Sequence, residues 1–223
     1  MPDSPLTSAV VFTIGPLAVT RPVLTTWAII AVLSMISWFG TRRPGNTASG
    51  MRVVLEAIIT SISGQIESII RRDPRPYLPL LGTLFIFLVA ANLSGILPGV
   101  EAPTSKIETP AALAIIVFFS VHLLGIRARG LLGYLARFTK PKLIMLPLNI
   151  VSELTRTFSM MIRLFGNVMS GEFIIAMIVS LAGLFVPIPL MALEILVGIV
   201  QAYIFTILTA VFIGAAVGTG DEA

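Results

Sequence analysis

Uncharged apolar segments alternate with short polar segments along the chain, the pattern of a protein that crosses a bilayer several times. Segments without Asp, Glu, Lys or Arg lie at residues 23–39, 79–97 and 110–126. Each approaches the roughly 20 residues that a helix needs to cross a hydrocarbon core about 30 Å thick. Backbone polar groups in lipid must be satisfied within the segment, so each is predicted to be an α-helix.

Residues 51–72 follow a different pattern, because polar side chains recur on one helical face and isoleucines on the other. Arg52 with Glu56, and Glu67 with Arg71, are spaced for favourable pairs along a helix. We predict an amphipathic helix that lies on the membrane interface and does not span the bilayer.

The last part of the chain predicts two helices that are longer than the bilayer is thick. No proline occurs in residues 148–186, and a straight helix of that length would run roughly 58 Å. It is either steeply tilted or bent at a glycine. Pro187 and Pro189 are predicted to make the turn into a second long helix at 190–218.

Together these segments predict an all-α fold, a polytopic membrane protein with about five membrane helices. The last two are long and steeply tilted, and one interfacial amphipathic helix is added. All of it forms a single membrane domain over residues 1–223.

Composition supports a membrane protein and excludes other classes. Hydrophobic residues make up 56% of the chain and charged residues 12%, and the mean hydropathy is +0.99, which excludes a soluble enzyme. The chain has no cysteine and one histidine, so disulfides and multi-Cys or multi-His metal sites are excluded, and no cofactor is predicted. His122 serves either a proton relay or hydrogen-bonded packing.

Basic residues predict the orientation. The 15 Lys and Arg against 11 Asp and Glu cluster between apolar segments, which is typical of membrane topology and not of a nucleic-acid interface. Basic clusters at residues 42–75 and 127–142 fall on one side, which the positive-inside rule assigns to the cytoplasm. We therefore expect the N-terminus outside and the C-terminus in the cytoplasm. No basic residue precedes Arg21, so no secretory signal is predicted.

Charged side chains within the last two helices are costly in lipid and are therefore candidates for function. They are Glu153, Arg156, Arg163, Glu172 and Glu194. Arg156 follows Glu153 by three residues, and we predict a structural ion pair. Arg163 has no acid among its helical neighbours, and a guanidinium does not lose its proton. It therefore requires an anion or a hydrated cavity from elsewhere.

Polar positions also form lines along these helices. The line on the first of them consists of Arg156, Met160, Arg163, Asn167 and Ser170. Glu172 lies on the opposite side of that helix, roughly 13 Å beyond Arg163. Glu194 and Gln201 form a second line on the last helix. Two such lines on adjacent helices predict a hydrated path, although each glutamate has the alternative of pairing with backbone or hydroxyl groups.

Specific strings of residues strengthen this interpretation. I-R-L-F-G-N at 162–167 is followed by S-G-E-F at 170–173 and by Q-A-Y-I-F at 201–205, with Leu208 and Thr209 just beyond. The combination resembles the subunit a family of the F-type ATP synthases, and the pattern of spans extends the resemblance over most of the chain.

The resemblance implies an ion-translocating stator subunit that catalyses no reaction itself. It implies that Arg163 is the essential arginine facing the rotor ring, and that Asn167, Glu172 and Gln201 belong to the ion pathway. Glu194 matches a position where members carry histidine or an acid. The implied partners are the ring of c subunits, the peripheral-stalk b subunits, the rest of the complex and the bilayer, with no nucleic acid. The implied location is a bacterial plasma membrane.

By the same resemblance, two half-channels carry protons to and from the ring carboxylates. Residues 152–156 and the short N-terminal region also look like a sodium-coupled branch, which keeps sodium as an alternative. A secondary transporter is a more distant alternative, because the chain lacks repeated halves. An intramembrane hydrolase is disfavoured, because the chain has no H-E-x-x-H motif. The chain also has no G-x-x-x-x-G-K motif, which excludes a P-loop.

Overall fold

The protein was analysed as a computed structural model that describes residues 10–14, 17–42, 50–96, 100–139, 146–183 and 186–218. Its helices are α1 (Arg21–Arg42), α2 (Gly50–Ile70), α3 (Leu78–Ser94), α4 (Glu108–Thr139), α5 (Leu146–Ala182) and α6 (Pro187–Val217). A small antiparallel pair of strands, β1 (Val10–Ile14) and β2 (Leu17–Thr20), precedes α1. Within the described residues, α1, α4, α5 and α6 are long and apolar enough to cross a membrane, and α3 is a shorter apolar helix. The predicted all-α, polytopic membrane fold is confirmed.

Helix α6 is the centre of the bundle, because α2, α3, α4 and α5 all pack against it. Small buried residues on α6 allow this close approach, among them Gly198, Ala202, Ala210 and Gly214. A Cβ at Gly214 would lie 3.7 Å from the Cα of Ile70 in α2. Such short distances between helix backbones increase dispersion contact, which drives helix association in lipid.

Helix α2 turns its apolar face toward the protein. Ile66 and Ile70 are buried against the bundle, whereas Glu56 and Glu67 are exposed. Its amphipathic pattern therefore matches packing on α3 and α6. A position on the membrane interface stays a prediction.

Helix α1 joins the bundle near its first turns. The Thr25 hydroxyl donates to the Glu101 carbonyl at 3.2 Å, and Arg21 lies 4.0 Å from a Glu101 carboxylate oxygen. Large side chains further along α1, such as Trp38 and Phe39, are exposed. The helix thus offers most of its surface to its surroundings.

Helix α4 extends beyond the predicted span and bends sharply. The span was expected to end at residue 126, but helical structure continues to Thr139 with a break at Gly130, where φ is 74° and ψ is 162°. Beyond the break, Tyr134 lies next to Gly125. The fit is close, because a Cβ at Gly125 would lie only 2.6 Å from the Tyr134 ring. The described part of the basic cluster at residues 127–142 is therefore a bent helix, and residues 140–142 lie outside the described residues.

The turn between α5 and α6 lies before the position predicted for it. Helix α5 ends at Ala182, and Gly183 has a positive φ of 79°, which favours glycine. Pro187 begins α6 and does not make the turn, because a first-turn residue needs no amide hydrogen. Helix α5 has 37 residues, or roughly 56 Å at 1.5 Å per residue. A steep tilt in the bilayer stays a prediction.

The other predicted boundaries shift by a few residues. Helix α1 extends past the predicted 23–39, and α2 ends at Ile70, two residues before the predicted end. Helix α3 ends at Ser94, and residue 97, where the second span was expected to end, lies outside the described residues.

Replacing Gly130 tests the bend in α4. A Cβ at Gly130 would meet nothing within 4 Å, so Gly130→Ala introduces backbone strain without a clash. At this φ and ψ we expect a loss of about 1–3 kcal/mol in the free energy of unfolding. Unfolding of the purified chain in mixed micelles measures it.

Gly64→Ala is the matched control, because Gly64 lies inside α2 with open space around its Cα. There alanine should stabilise the helix by roughly 0.5–1 kcal/mol. Equal effects of the two substitutions would contradict a glycine-dependent bend.

Candidate functional site

An open cavity of about 380 Å³ lies between α5 and α6. Hydroxyl and guanidinium groups form its polar lining, and none of its lining residues is acidic. They are Ser152, Thr155, Arg156, Ser159, Met160, Arg163, Leu208 and Phe212. We call this space the arginine cavity. Fixed positive charge beside hydroxyl groups makes it suited to water and anions.

Arg163 borders this cavity on the exposed side of α5, next to exposed Ile162. Among the described residues, no carboxylate forms an ion pair with its guanidinium. Asn167 lies one turn further along and is half-buried. The backbone carbonyl of Asn167 accepts a hydrogen bond of 3.0 Å from the Ser170 hydroxyl. Arg163 is therefore a permanent cation whose counter-charge does not come from the described parts of its own chain.

Arg156 and Glu153 are predicted to form an ion pair, and the pair stays a prediction. The Arg156 guanidinium lies over the Phe212 ring of α6, 5.5 Å from its centroid. A spacing of three residues allows a pair but does not require it, and an aromatic face on the adjacent helix attracts the cation. Arg156 therefore shares the arginine cavity with Arg163.

Glu172 of α5 and Glu194 of α6 come together in a different part of the bundle. Glu172 interacts electrostatically with Glu194 and Lys106, and its carboxyl group interacts with the Ser105 side chain and the Ala102 backbone. We call Glu172, Glu194, Ser105 and Lys106 the carboxylate cluster. Because Gly171 has no side chain, α6 can bring Glu194 close; a Cβ at Gly171 would lie 3.0 Å from Glu194 Cδ.

A buried turn between α3 and α4 supports this cluster. Residues 102–105, which include the 3₁₀ turn Pro103–Ser105, are all buried. The Thr104 hydroxyl donates to Asn92 Oδ1 at 3.0 Å, and Asn92 Nδ2 donates to the Gly198 carbonyl at 2.8 Å. The sequence does not mark this turn, because Pro-Thr-Ser between charged residues has the composition of an ordinary surface loop.

Gln201 is buried within the bundle, with 6% of its surface exposed. Its Nε2 is buried and has no hydrogen-bond partner among the described residues. Buried amide donors without a protein partner are commonly satisfied by water. Gln201 follows Glu194 along α6 and precedes Leu208 of the arginine cavity.

His122 is hydrogen-bonded within α4. Its Nδ1 lies 2.7 Å from the Phe118 carbonyl, so Nδ1 is the donor. The ring packs at 4.1 Å from Phe118 and 5.8 Å from Tyr134, measured between centroids. This geometry favours the packing interpretation of the histidine.

Two polar regions therefore occur along α5. Arg163 and Arg156 belong to the arginine cavity, and Glu172 belongs with Glu194 to the carboxylate cluster. Buried Gln201 lies on α6 between the residues that contribute to each. The arrangement offers two separate polar regions in an otherwise apolar bundle.

Comparisons with known proteins agree with the family that the strings resemble. The family model described as "ATP synthase A chain" matches residues 23–214. The chain is 71% identical over 219 residues to "ATP synthase subunit a 2" of Bradyrhizobium sp. strain BTAi1, covering 98% of both chains. It is 44% identical over 211 residues to "ATP synthase subunit a 1" of Chlorobaculum parvum, covering 94% of this chain and 93% of that relative. It is 45% identical over 204 residues to "ATP synthase subunit a" of Albidiferax ferrireducens, covering 91% and 88%.

A double-mutant cycle compares Phe212 and Glu153 as partners of Arg156. Combining Arg156→Gln with Phe212→Leu should give a coupling free energy of about 0.5–1 kcal/mol, the scale of a cation–π contact. Unfolding in mixed micelles provides the four stabilities. The control cycle combines Arg156→Gln with Glu153→Gln and should give less than about 0.3 kcal/mol. The reverse ranking would favour the ion pair.

Proposed function

The chain belongs to the ATP synthase A chain family, and from that premise we propose that it forms two half-channels that carry protons to and from a rotating ring of carboxylates. Subunit a of an F-type ATP synthase is a non-catalytic stator subunit of the Fo membrane sector, and catalysis occurs in the F1 sector. The chain is thus a multi-pass membrane protein with the other ATP synthase subunits as partners.

Arg163 is the single observation that carries the proposal. It is a cation on the exposed side of a membrane helix, and no carboxylate of the described residues pairs with it. A ring of c subunits supplies the missing anions one at a time as it turns past α5. Exposed apolar side chains beside Arg163, such as Phe158 and Ile162, form the surface that the ring passes.

The charge of Arg163 makes ion transfer directional. A guanidinium nearby favours the ionised form of each ring carboxylate, so the carboxylate releases its ion as it approaches. Fixed positive charge also keeps a cation from passing straight across the contact. A lysine is less suited to this role, because a desolvated ammonium can lose its proton.

The two polar regions serve as the two half-channels. The carboxylate cluster and buried Gln201 form the outer one, and Asn167 lines the passage to the ring. Hydroxyl groups of the arginine cavity, including Ser159, form the inner one. Because the regions are offset along α5, an ion must travel with the ring to pass from one to the other. Each charge then delivers about 2.3 kcal/mol per 100 mV of membrane potential.

Basic residues support the proposed orientation in a bacterial plasma membrane. Arg71, Arg72 and Arg75 follow α2, and Arg127 and Arg129 lie near the bend of α4. The positive-inside rule puts these positions in the cytoplasm, with the N-terminus outside and the C-terminus inside. The c ring contacts α5, and the b subunits of the peripheral stalk contact another face.

Removing Arg163 tests the central role. Arg163→Ala should lower ion-driven ATP synthesis by roughly 100-fold or more, the scale of losing one preorganised charge, while the complex still assembles. Synthesis by the purified complex in liposomes measures it. Arg72→Gln is the control, because Arg72 is exposed in the link after α2. Wild-type coupling in Arg163→Ala would overturn the proposal.

Neutralising the glutamates tests the outer half-channel. Glu172→Gln and Glu194→Gln should each slow passive ion flux through F1-stripped vesicles about tenfold, because each removes a group that exchanges the ion. Glu67→Gln, an exposed acid of α2, should leave flux unchanged. Unchanged flux in both test variants would remove these residues from the path.

The same vesicles separate protons from sodium, the alternative coupling ion. Proton coupling predicts flux that is independent of sodium at every pH. Stimulation by sodium at high pH would instead assign sodium.

A further inference from the structure

We propose that the buried turn, residues 102–105, is a working part of the outer ion path, with Ser105 contacting the ion at Glu172 and Thr104 positioning α6 through Asn92. The inference rests on the proposed function, since it assigns new residues to the same half-channel. It adds Ser105 as an ion-contacting group, and Thr104 and Asn92 as positioning residues.

The burial of this turn is unusual for a loop. Connecting segments normally run over the surface, where water satisfies their polar groups. Here Thr104 is fully buried and Ser105 is 4% exposed. Two buried hydroxyl groups in a loop require partners within the protein. The Thr104 hydroxyl donates to Asn92 of α3, and the Ser105 hydroxyl donates to the Ala102 carbonyl within the turn.

Ser105 belongs to a turn that packs against α5, the helix of Glu172. Its hydroxyl donates to the Ala102 carbonyl at 2.8 Å, and a serine hydroxyl has only one proton to donate. The oxygen can therefore accept a hydrogen bond from a protonated Glu172 or bind a cation held there. Ser105 is thus a non-ionisable side chain that interacts with Glu172.

Charges around this position come from three elements. Glu172 lies on α5, Glu194 on α6, and Lys106 in the loop directly after the turn. Two carboxylates next to one ammonium favour a bound cation less than an isolated pair of carboxylates would. A neutral hydroxyl in this group adds an ion-binding oxygen without adding charge. Such a site can release the ion onward as well as bind it.

Thr104 acts on the other helix of the path. Its hydroxyl donates to Asn92, which in turn donates to the Gly198 carbonyl of α6. The fit is close, because a Cβ at Gly198 would lie 2.9 Å from Asn92 Cβ. Gly198 comes four residues after Glu194 and three before Gln201, so all three share a helical face. A hydrogen bond at Gly198 therefore fixes the rotation of the face that carries the two path residues.

The turn thereby links both sides of the outer path. The turn packs against α5, where Ser105 interacts with Glu172, and Thr104 holds α6 through Asn92. Adjacent residues of one turn thus influence the relative positions of Glu172 and Glu194. Removing either hydroxyl should affect ion transfer along the path more than it affects folding of the helices.

The experiment compares Ser105→Ala, Thr104→Val and Thr104→Ser in the intact ATP synthase in liposomes. Ion-driven ATP synthesis is measured against the outer concentration of the coupling ion, with protons and sodium varied separately. Rates are normalised to assembled complex. Ser68→Ala and Thr83→Val are matched controls, because their exposed hydroxyls bond only to carbonyls of their own helices.

Ser105→Ala should change the half-saturating ion concentration roughly fivefold, the ratio that corresponds to one hydrogen bond of about 1 kcal/mol. Thr104→Val should lower the maximal rate by a similar factor, and Thr104→Ser should restore most of it. A structural role alone would reduce the amount of complex and leave the half-saturating concentration unchanged.

Each remaining outcome decides the matter. A wild-type half-saturating concentration in Ser105→Ala, while Glu172→Gln slows flux, overturns the inference and leaves the proposed function standing. The Ser105 result decides by itself if Thr104→Val reduces assembly. Failure of Thr104→Ser to exceed Thr104→Val overturns the positioning role of Thr104. Unchanged flux in both Glu172→Gln and Glu194→Gln contradicts the proposed function itself.

Discussion

A fixed positive charge at Arg163, on the exposed side of a long apolar helix, is the constraint on which the rest of the structure depends. A guanidinium keeps its proton in lipid, so its cost is relieved only by an anion or by water. Among the described residues, Arg163 has a hydroxyl-lined cavity on one side and no carboxylate that pairs with it. Water in this cavity is one way to relieve the cost, and a carboxylate from another subunit is the way that the proposed function uses.

Glu172 and Glu194 differ from Arg163, because the bundle partly buries them. Glu172 meets a serine, a lysine and a second glutamate supplied by other elements. Gly171 and Gly198 let side chains of neighbouring helices approach the backbone closely. Arg163 thus lies on the exposed side of α5, while Glu172 and Glu194 lie partly buried between helices. The contrast fits the proposed function, in which Arg163 meets a moving ring and the two glutamates line a fixed ion path.

Hydropathy was sufficient to predict the fold class, because lipid forces each apolar segment to satisfy its own backbone as a helix. Helix boundaries were less predictable. Gly130 and Gly183 take positive φ values, and a sequence does not show which glycines do so. Pro187 was assigned to a turn because proline disrupts helix interiors, although it also suits the first helical turn.

Side chains also differ in how well the sequence predicts their surroundings. Arg163 was identifiable because its isolation from acids is a property of its own helix. The partner of Arg156 was not, since Phe212 lies far away in sequence and local spacing favoured Glu153. Residues 102–105 were missed for a similar reason, because burial of a loop results from the packing of several helices around it. Contacts between helices that are distant in sequence therefore appear only in the structure.

The central place of α6 has a consequence for how the protein is made. Helices α2, α3, α4 and α5 all pack against α6, and all four precede it in the chain. Before α6 is synthesised, these helices have only their contacts with one another, such as those between α4 and α5, so completion of the bundle depends on long-range contacts. A chain without α6 would keep α4 on α5 and α2 on α3 but would lose the one helix that packs against all four.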